Sequence, residues 1–340
     1  MNAPISKRPF IATIAQRYED APRIIALFTS LFKQTRPELL YLFQRLNSKQ
    51  RMSWKDQVKA KLETVTGEKA EILSVTPVGG GSINETFRLE TSSGMYFVKK
   101  NSSSLYPQMF EKEALGLKIL ADTGEIPVPE VVAWDETNEE AFLIMKYIPP
   151  GTKSADFWET FAKRLAALHG HTDKMFGLDH DNYIGSLPQS NRRYRSWTDF
   201  FREERLEFQV KMARNAGKIG SNTIRQFERF YQKLEEIFPD EPPALIHGDL
   251  WGGNFIVNPE GEAVIIDPAV YYGHREMDLG MSQLFGGFHH SFYKAYNRYF
   301  PLEPGWQERL DYCNLYPLMV HVNLFGGGYL GSVKSILKKF

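Results

Sequence analysis

Apolar and polar positions follow two different periods along this chain, and the change of period falls at Pro149-Pro150-Gly151. Before it, short alternating or continuous apolar runs predict strands at Ala70 to Val78, Glu85 to Glu90, Met95 to Lys100, Val131 to Trp134 and Ala141 to Ile148. Gly79-Gly80-Gly81-Ser82 lies between the first two strands, and Ser92-Ser93-Gly94 turns between the second and third. Two helical patterns accompany them. One starts at Ser53, sets Trp54, Val58 and Leu62 on one face and ends near Gly67; the other runs from Phe110 to Leu120. Beyond the triplet the period turns helical: Phe157 to His169, Trp197 to Ala213, Ile224 to Ile237, Leu279 to Phe300, and Trp306 to the C-terminus. Only two short strands, Phe255 to Val257 and Ala263 to Ile266, interrupt that half. The expectation is an α+β chain with two lobes, residues 52–148 carrying five strands around one main helix and residues 149–340 mostly helical.

A length of 340 residues supports two lobes, and a hydrophobic content of 42% with 14% aromatic residues is ample for packed cores. Basic and acidic residues both number 41, so the overall balance points to no nucleic-acid partner. The distribution is uneven, because residues 1–51 hold nine basic and three acidic residues, leaving 32 and 38 for the remainder. Residues 1–51 are therefore set apart as a basic leader or extension outside the catalytic fold. An organelle transit peptide is disfavoured by Glu19, Asp20 and Glu38. A surface helical hairpin, or translated sequence upstream of a start at Met52, suits the leader better. No uninterrupted apolar run approaches membrane-spanning length. The single cysteine, Cys313, excludes an internal disulfide and fits a reducing compartment, so a cytoplasmic protein is expected, as a monomer or weak dimer.

The chemistry concentrates in Leu245-Ile246-His247-Gly248-Asp249-Leu250-Trp251-Gly252-Gly253-Asn254, followed by Val264-Ile265-Ile266-Asp267-Pro268. An Asp, an Asn five residues on and a second Asp after an apolar strand form the set a phosphoryl transfer to a hydroxyl needs. Asp249 is the proton acceptor, ionised on its ordinary pKa of about 3.9, and Asn254 and Asp267 are oxygen ligands for Mg2+. Upstream, Gly79, Gly80, Gly81 and Ser82 let backbone N–H groups approach nucleotide phosphates without Cβ obstruction. Lys99 closes a strand as the ammonium for the α/β-phosphates, with Glu113 as its ion-pair partner. Strand alternation sends Lys100 to the opposite face, and pattern alone leaves the choice between the two open. Met145, Lys146 and Tyr147 form the connection that meets adenine. Trp251 is either core packing or an aromatic platform for substrate. His289-His290 and the glycines at 326–328 read as structural, and Cys313 as a buried apolar residue.

Together these groups resemble a protein-kinase-like phosphotransferase of the aminoglycoside-phosphotransferase kind, and more specifically the fructosamine (ketosamine-3-) kinases. The narrower resemblance rests on Gly79 to Asn84, Tyr96-Phe97-Val98-Lys99, Met109 to Ala114, Asp181-Asn182-Tyr183-Ile184-Gly185, Pro188-Gln189-Ser190-Asn191, Trp197 to Phe201 running to Arg205-Leu206, His247 to Asn254, and Ile266 to Leu279. It spans about residue 52 to the C-terminus. It implies ATP- and Mg2+-dependent phosphorylation of the sugar 3-hydroxyl of ketosamines, as small molecules or on glycated proteins, a deglycation step. Trp251, Asn182 and Gln189, in or beside these segments, are the candidate substrate contacts. Two positions depart from the family pattern: Ser82 stands where many members have Cys, and Lys146 where the hinge is often acidic.

Two other functions compete. A kinase for another hydroxylated amine, aminoglycoside- or choline-like, would share the catalytic loop but not Pro188-Gln189 or Gly273-His274-Arg275-Glu276. An inactive nucleotide-binding scaffold would have no reason to keep Lys99, Glu113, Asp249, Asn254 and Asp267 together.

Overall fold

The computed structural model describes residues 52–79 and 83–340. The expectations for residues 1–51 and for Gly80, Gly81 and Ser82 lie outside them. Helix α1 (Trp54–Thr66) starts at a reciprocal cap, with the Ser53 hydroxyl 2.7 Å from Asp56 Oδ2 and the Asp56 N–H donating back to Ser53 Oγ. It ends at Gly67, whose φ of +72° a side chain would strain.

Strands β1 (Ile72–Pro77), β2 (Glu85–Thr91), β3 (Gly94–Asn101), β4 (Val131–Glu136) and β5 (Ala141–Lys146) form one antiparallel sheet in the order β1-β2-β3-β5-β4. Helix α2 (Met109–Thr123) follows β3 and packs Phe110, Ala114 and Leu117 against Leu143 and Met145 of β5. β5 is buried from Ala141 to Met145, which explains its unbroken apolar run. At Gly116 of α2 a Cβ would already be in van der Waals contact with Val270 (3.4 Å) and Pro268 (3.6 Å). That close approach lays α2 against the segment following Asp267.

The remaining chain is mostly helical. Helix α3 (Phe157–His169) leads to a small hairpin, β6 (Asn182–Ile184) and β7 (Leu187–Gln189). Helix α4 (Trp197–Phe200) runs into a π-helical segment, Phe201–Glu207, and on into α5 (Phe208–Asn215), followed by α6 (Ser221–Tyr231) and α7 (Leu234–Ile237). Strands β8 (Ala244–Ile246) and β11 (Tyr271–Gly273) pair across the site, and β9 (Phe255–Val257) pairs with β10 (Ala263–Ile265). Helices α8 (Glu276–Met281), α9 (His290–Tyr299), α10 (Trp306–Cys313), α11 (Leu315–Phe325) and α12 (Leu330–Ile336) complete the chain. The helix expected from Leu279 to Phe300 is split, because Phe285, Gly286 and Gly287 all adopt positive φ between α8 and α9. The helix expected from Trp306 onward also breaks, notably at Gly326. The α+β class and the five-stranded antiparallel sheet with one main helix are as expected. Among the described residues, no helix is long and apolar enough to cross a membrane.

Candidate active site

β8 delivers the chain into His247-Gly248-Asp249, a turn that only glycine can make: Gly248 has φ +83°, and a Cβ there would fall 2.2 Å from Ala269 O. Three bonds fix the loop to the segment around Asp267, and a fourth, within the turn, sets the His247 tautomer. The Ala269 N–H donates to His247 O (2.9 Å), and the Ile266 N–H to Asn254 O (3.0 Å). His247 Nδ1 accepts from the Asp249 N–H (3.2 Å), which leaves Nε2–H to donate to Ile266 O (2.9 Å). Burial lowers the His247 pKa, consistent with that neutral tautomer.

Asp278, on α8, anchors the turn from behind. Its carboxylate accepts the His247 N–H at 2.7 Å and the Gly248 N–H at 2.8 Å, and lies 3.2 Å from His169 Nε2. The side chain is fully buried. Burial by itself would raise its pKa, but His169, His247 and the backbone donors together hold it below the ordinary value. The sequence offered only a family-selective segment at this point, with no role for Asp278. The burial of a carboxylate beside a glycine turn becomes visible once the chain is folded.

Asp249 Oδ2 accepts from Asn254 Nδ2 (2.9 Å), which also donates to Asp249 O (2.9 Å). That leaves Asn254 Oδ1 for a cation. Asp267 holds φ +57°, a left-handed conformation that Asp tolerates better than most residues, and its carboxylate is half exposed. Lys99 Nζ is 2.6 Å from Asp267 Oδ1 and 2.6 Å from Glu113 Oε1, and its side chain is 4% exposed. The choice between neighbouring lysines is thereby settled, because Lys100 turns to the other face and pairs with Glu85 (2.9 Å) and Glu140 (3.2 Å). Burial opposes charge on Lys99, but Asp267 and Glu113 outweigh it and keep the ammonium protonated. The ordinary pKa expected for Asp249 does not hold in the folded chain. Burial, and then the charge of Asp267, push it up to about 7, partly offset by the bond from Asn254.

Two cavities meet at these groups. The larger, about 640 Å³, lies under the sheet and is lined by Val78, Gly79, Met145 to Ile148, Ile256 and Ile266 among others. The smaller, about 220 Å³, lies between α2, the β6–β7 hairpin, the His247–Asp249 turn and α11. Asn84, Lys99, Trp251, Asn254 and Asp267 line both, whereas Asp249 and Glu113 line only the smaller one. The larger volume is within the range of small-molecule and cofactor sites. In its hinge, the Lys146 N–H is taken by Glu130 O (2.9 Å) and the Tyr147 N–H by Met95 O (3.1 Å). Pro149 and Pro150 have no N–H. Ile148 is left with a hinge N–H that has no backbone partner among the described residues. The sequence named Met145, Lys146 and Tyr147 but missed Ile148, because only the sheet pairing shows which donors are already used.

The three substrate candidates separate. Trp251 lines both cavities and meets the Phe285 ring edge-on at 5.8 Å, which favours the platform over core packing. Asn182 lines the smaller cavity, but its Nδ2 donates to Val270 O (2.9 Å). Gln189 lines neither cavity. It is 2% exposed, with Nε2 donating to Asn182 Oδ1 (2.7 Å) and Ala269 O (3.2 Å), while its Oε1 accepts from the Tyr316 hydroxyl (2.6 Å). The structure thus brings Gln189 to the back of the cavity wall, not to its surface. Cys313 is fully buried, as expected.

A sheet-capped cavity that meets a smaller one at a lysine, an Asn and an Asp, with a second Asp lining only the smaller, defines a kinase-like phosphotransferase. The family model described as fructosamine kinase matches residues 53–340, and the chain belongs to that family. A probable ketoamine kinase from Synechocystis sp. is 39% identical over 286 residues, covering 83% of this chain and 95% of the relative. The chloroplastic protein-ribulosamine 3-kinase of Arabidopsis thaliana is 40% identical over 280 residues, covering 81% and 84%. A crystal structure from Thermobifida fusca, assigned as a fructosamine-3-kinase, superposes with a TM-score of 0.75 at 34% identity, covering 83% of this chain and 97% of that one. The chain is an ATP-dependent phosphotransferase acting on a hydroxyl group.

Proposed function

We propose that this protein transfers the γ-phosphoryl group of ATP to the sugar 3-hydroxyl of ketosamines, fructosamine or ribulosamine adducts of amines or protein lysines. The observation that carries the reading is the division of labour between the two cavities. The hinge lines only the larger and Asp249 only the smaller, while Lys99, Asn254 and Asp267 stand where they meet. ATP would occupy the larger cavity, with adenine against the Met145 to Ile148 backbone and its phosphates toward Lys99. The sugar would occupy the smaller, with its hydroxyl at Asp249.

Asp249 orients that hydroxyl and accepts its proton as the phosphorus–oxygen bond forms. Asn254 Oδ1 and the exposed Asp267 carboxylate fit Mg2+, since two protein oxygens are too few for an all-protein cage and suit a cation shared with phosphates and water. A bound cation supplies charge neutralisation on the transferring group. On the same proposal, residues 52–148 form the nucleotide lobe and 149–340 the acceptor lobe, in a cytoplasmic monomer or weak dimer. The support for a reducing compartment is the single, buried Cys313.

The test is ADP release from ATP with fructosyl-lysine and ribulosyl-lysine. Turnover that is lost in Asp249→Ala is expected. No turnover of either acceptor by the unmodified protein, or undiminished turnover in Asp249→Ala, overturns the proposal.

A further inference from the structure

Arg205 is fully buried, and among the described residues no carboxylate lies within ion-pair distance of its guanidinium. Its neighbour Glu204 is engaged by Arg192 and Tyr194 instead. A buried charge without a counter-ion is costly, so a chain that keeps one has arranged other compensation. Here the compensation is aromatic and backbone. The guanidinium carbon lies 3.9 Å from the Tyr271 ring centroid, 4.5 Å from Phe200 and 5.4 Å from Tyr316. One nitrogen donates to Ser190 O at 2.6 Å and another to Asn191 Oδ1 at 2.7 Å, while Nε has no partner. The residue sits in the π-helical segment Phe201–Glu207, a local widening of the helix that occurs often at functional sites.

From those two contacts a continuous set of bonds leads to the acceptor cavity. Asn191 Nδ2 donates to Asn182 Oδ1 (3.0 Å), which also accepts from Gln189 Nε2. Asn182 Nδ2 holds Val270 O, Gln189 holds Ala269 O, and the Ala269 N–H holds His247 O. One end of this network is the cavity wall from Asn182 to Gly185, and the other is the segment that carries Asp267 and the catalytic turn. The hinge and the rest of the nucleotide cavity lie outside it.

We infer that Arg205 is a positioning residue for the acceptor: it clamps the β6–β7 hairpin against the Asp267–Val270 segment and so sets the distance between the sugar wall and Asp249. The assignment of the smaller cavity to the acceptor rests on the function proposed above. Lysine cannot substitute, because a single ammonium on an unbranched stem cannot stack on Tyr271 while reaching both Ser190 O and Asn191 Oδ1.

The experiment compares the unmodified protein with Arg205→Lys and with Asn191→Ala, which removes the acceptor of one bond and leaves the arginine in place. Amide hydrogen exchange is read without substrates, and initial rates are read with ATP and ribulosyl-lysine each varied. Both variants are expected to exchange faster at 182–191 with no change at 145–148, and to raise the acceptor KM on the order of 10- to 100-fold while the ATP KM stays within about twofold. An unchanged acceptor KM overturns the inference, as does faster exchange spread evenly over the chain with both KM values rising together. If the unmodified protein turns over no ketosamine, the functional proposal fails on its own. The exchange pattern then still decides whether Arg205 holds the hairpin.

Discussion

Asp278→Asn changes one oxygen to an amide nitrogen and nothing else in size, yet it strikes the support of the catalytic turn. The carboxylate now accepts two backbone N–H groups, from His247 at 2.7 Å and Gly248 at 2.8 Å, and stands 3.2 Å from His169 Nε2 in a fully buried site. An amide offers one oxygen, so one backbone donor is left facing an NH₂ group. A charge-assisted bond contributes about 1.5–3 kcal/mol, and an unsatisfied buried donor costs about 1–3 kcal/mol. Some of that is relieved by relaxation of the turn, and a net loss of about 3 kcal/mol is expected. At roughly 2 °C per kcal/mol for a chain of this size, the melting temperature falls by about 6 °C. Relaxation has a catalytic consequence, because it moves Gly248 and therefore Asp249. A displacement on the order of 1 Å lowers kcat by about 100-fold. ATP affinity is expected to hold, since the hinge N–H groups of Lys146 and Tyr147 bond to Glu130 and Met95 and not to α8. The assay is ADP release at saturating ATP and ketosamine beside a thermal melt. A kcat within about threefold of the unmodified protein would refute the reasoning, whatever the melt shows.

Four further outcomes follow from the same geometry. Lys99→Met removes the partner of both Glu113 and Asp267 and is expected to lower kcat by about 10²–10³, with ADP release as the readout; activity within a few-fold of normal would remove Lys99 from the phosphate site. Gly253→Ala places a Cβ 2.3 Å from the Trp251 ring, so the indole must leave its position. The acceptor kcat/KM is expected to fall about tenfold, and an unchanged value would return Trp251 to core packing. Ile148→Pro removes the free hinge N–H and is expected to raise the ATP KM about tenfold or more with the acceptor KM unaffected, read from initial rates; equal effects on both would count against the hinge assignment. The fourth is a pH effect. Burial lowers the His274 pKa from 6.5 to about 4, so below pH 6.5 the unfolded chain binds a proton that the folded chain refuses. Stability therefore falls as pH drops from 6.5 toward 4, by about 2 kcal/mol between pH 7 and pH 5. Urea titrations should show that slope flattened in His274→Asn, and an unaltered slope would mean other groups carry it.

Periodicity was enough for the sheet and for α1 to α3, because their apolar faces are buried in the periods the sequence shows. Lys99 could not be separated from Lys100 by pattern, since both are flanked by apolar residues and both end in ion pairs; only the partners Glu113 and Asp267, against Glu85 and Glu140, distinguish them. The candidate site around Asp249 was legible because Asp249, Asn254 and Asp267 fall close together along the chain. Asp278 and Ile148 were not, for a shared reason: their roles depend on which backbone donors are free or taken, and hydrogen-bond accounting needs the fold. Gln189 was misplaced in the opposite direction. Its segment was read as a substrate contact, whereas folding buries the amide and uses it to support the wall that Asn182 and Tyr183 present.

The ion pairs at the junction have a further consequence for Asp249. The carboxylate of Asp267 is bonded to Lys99, at the same 2.6 Å as Glu113. On the proposed function, a lysine that meets phosphate and an aspartate that meets a cation satisfy one another here, and nucleotide binding would separate them. Asp267 is the one free to move, being half exposed where Lys99 is buried, and Glu113 would keep the ammonium in place. The same separation would act on Asp249. Its pKa of about 7 reflects burial first and the negative charge of Asp267 second, and a cation held by Asp267 would offset that second contribution and favour the ionised carboxylate. On the proposed function, nucleotide and cation binding in the larger cavity would therefore favour the ionised form of Asp249, which faces the smaller one.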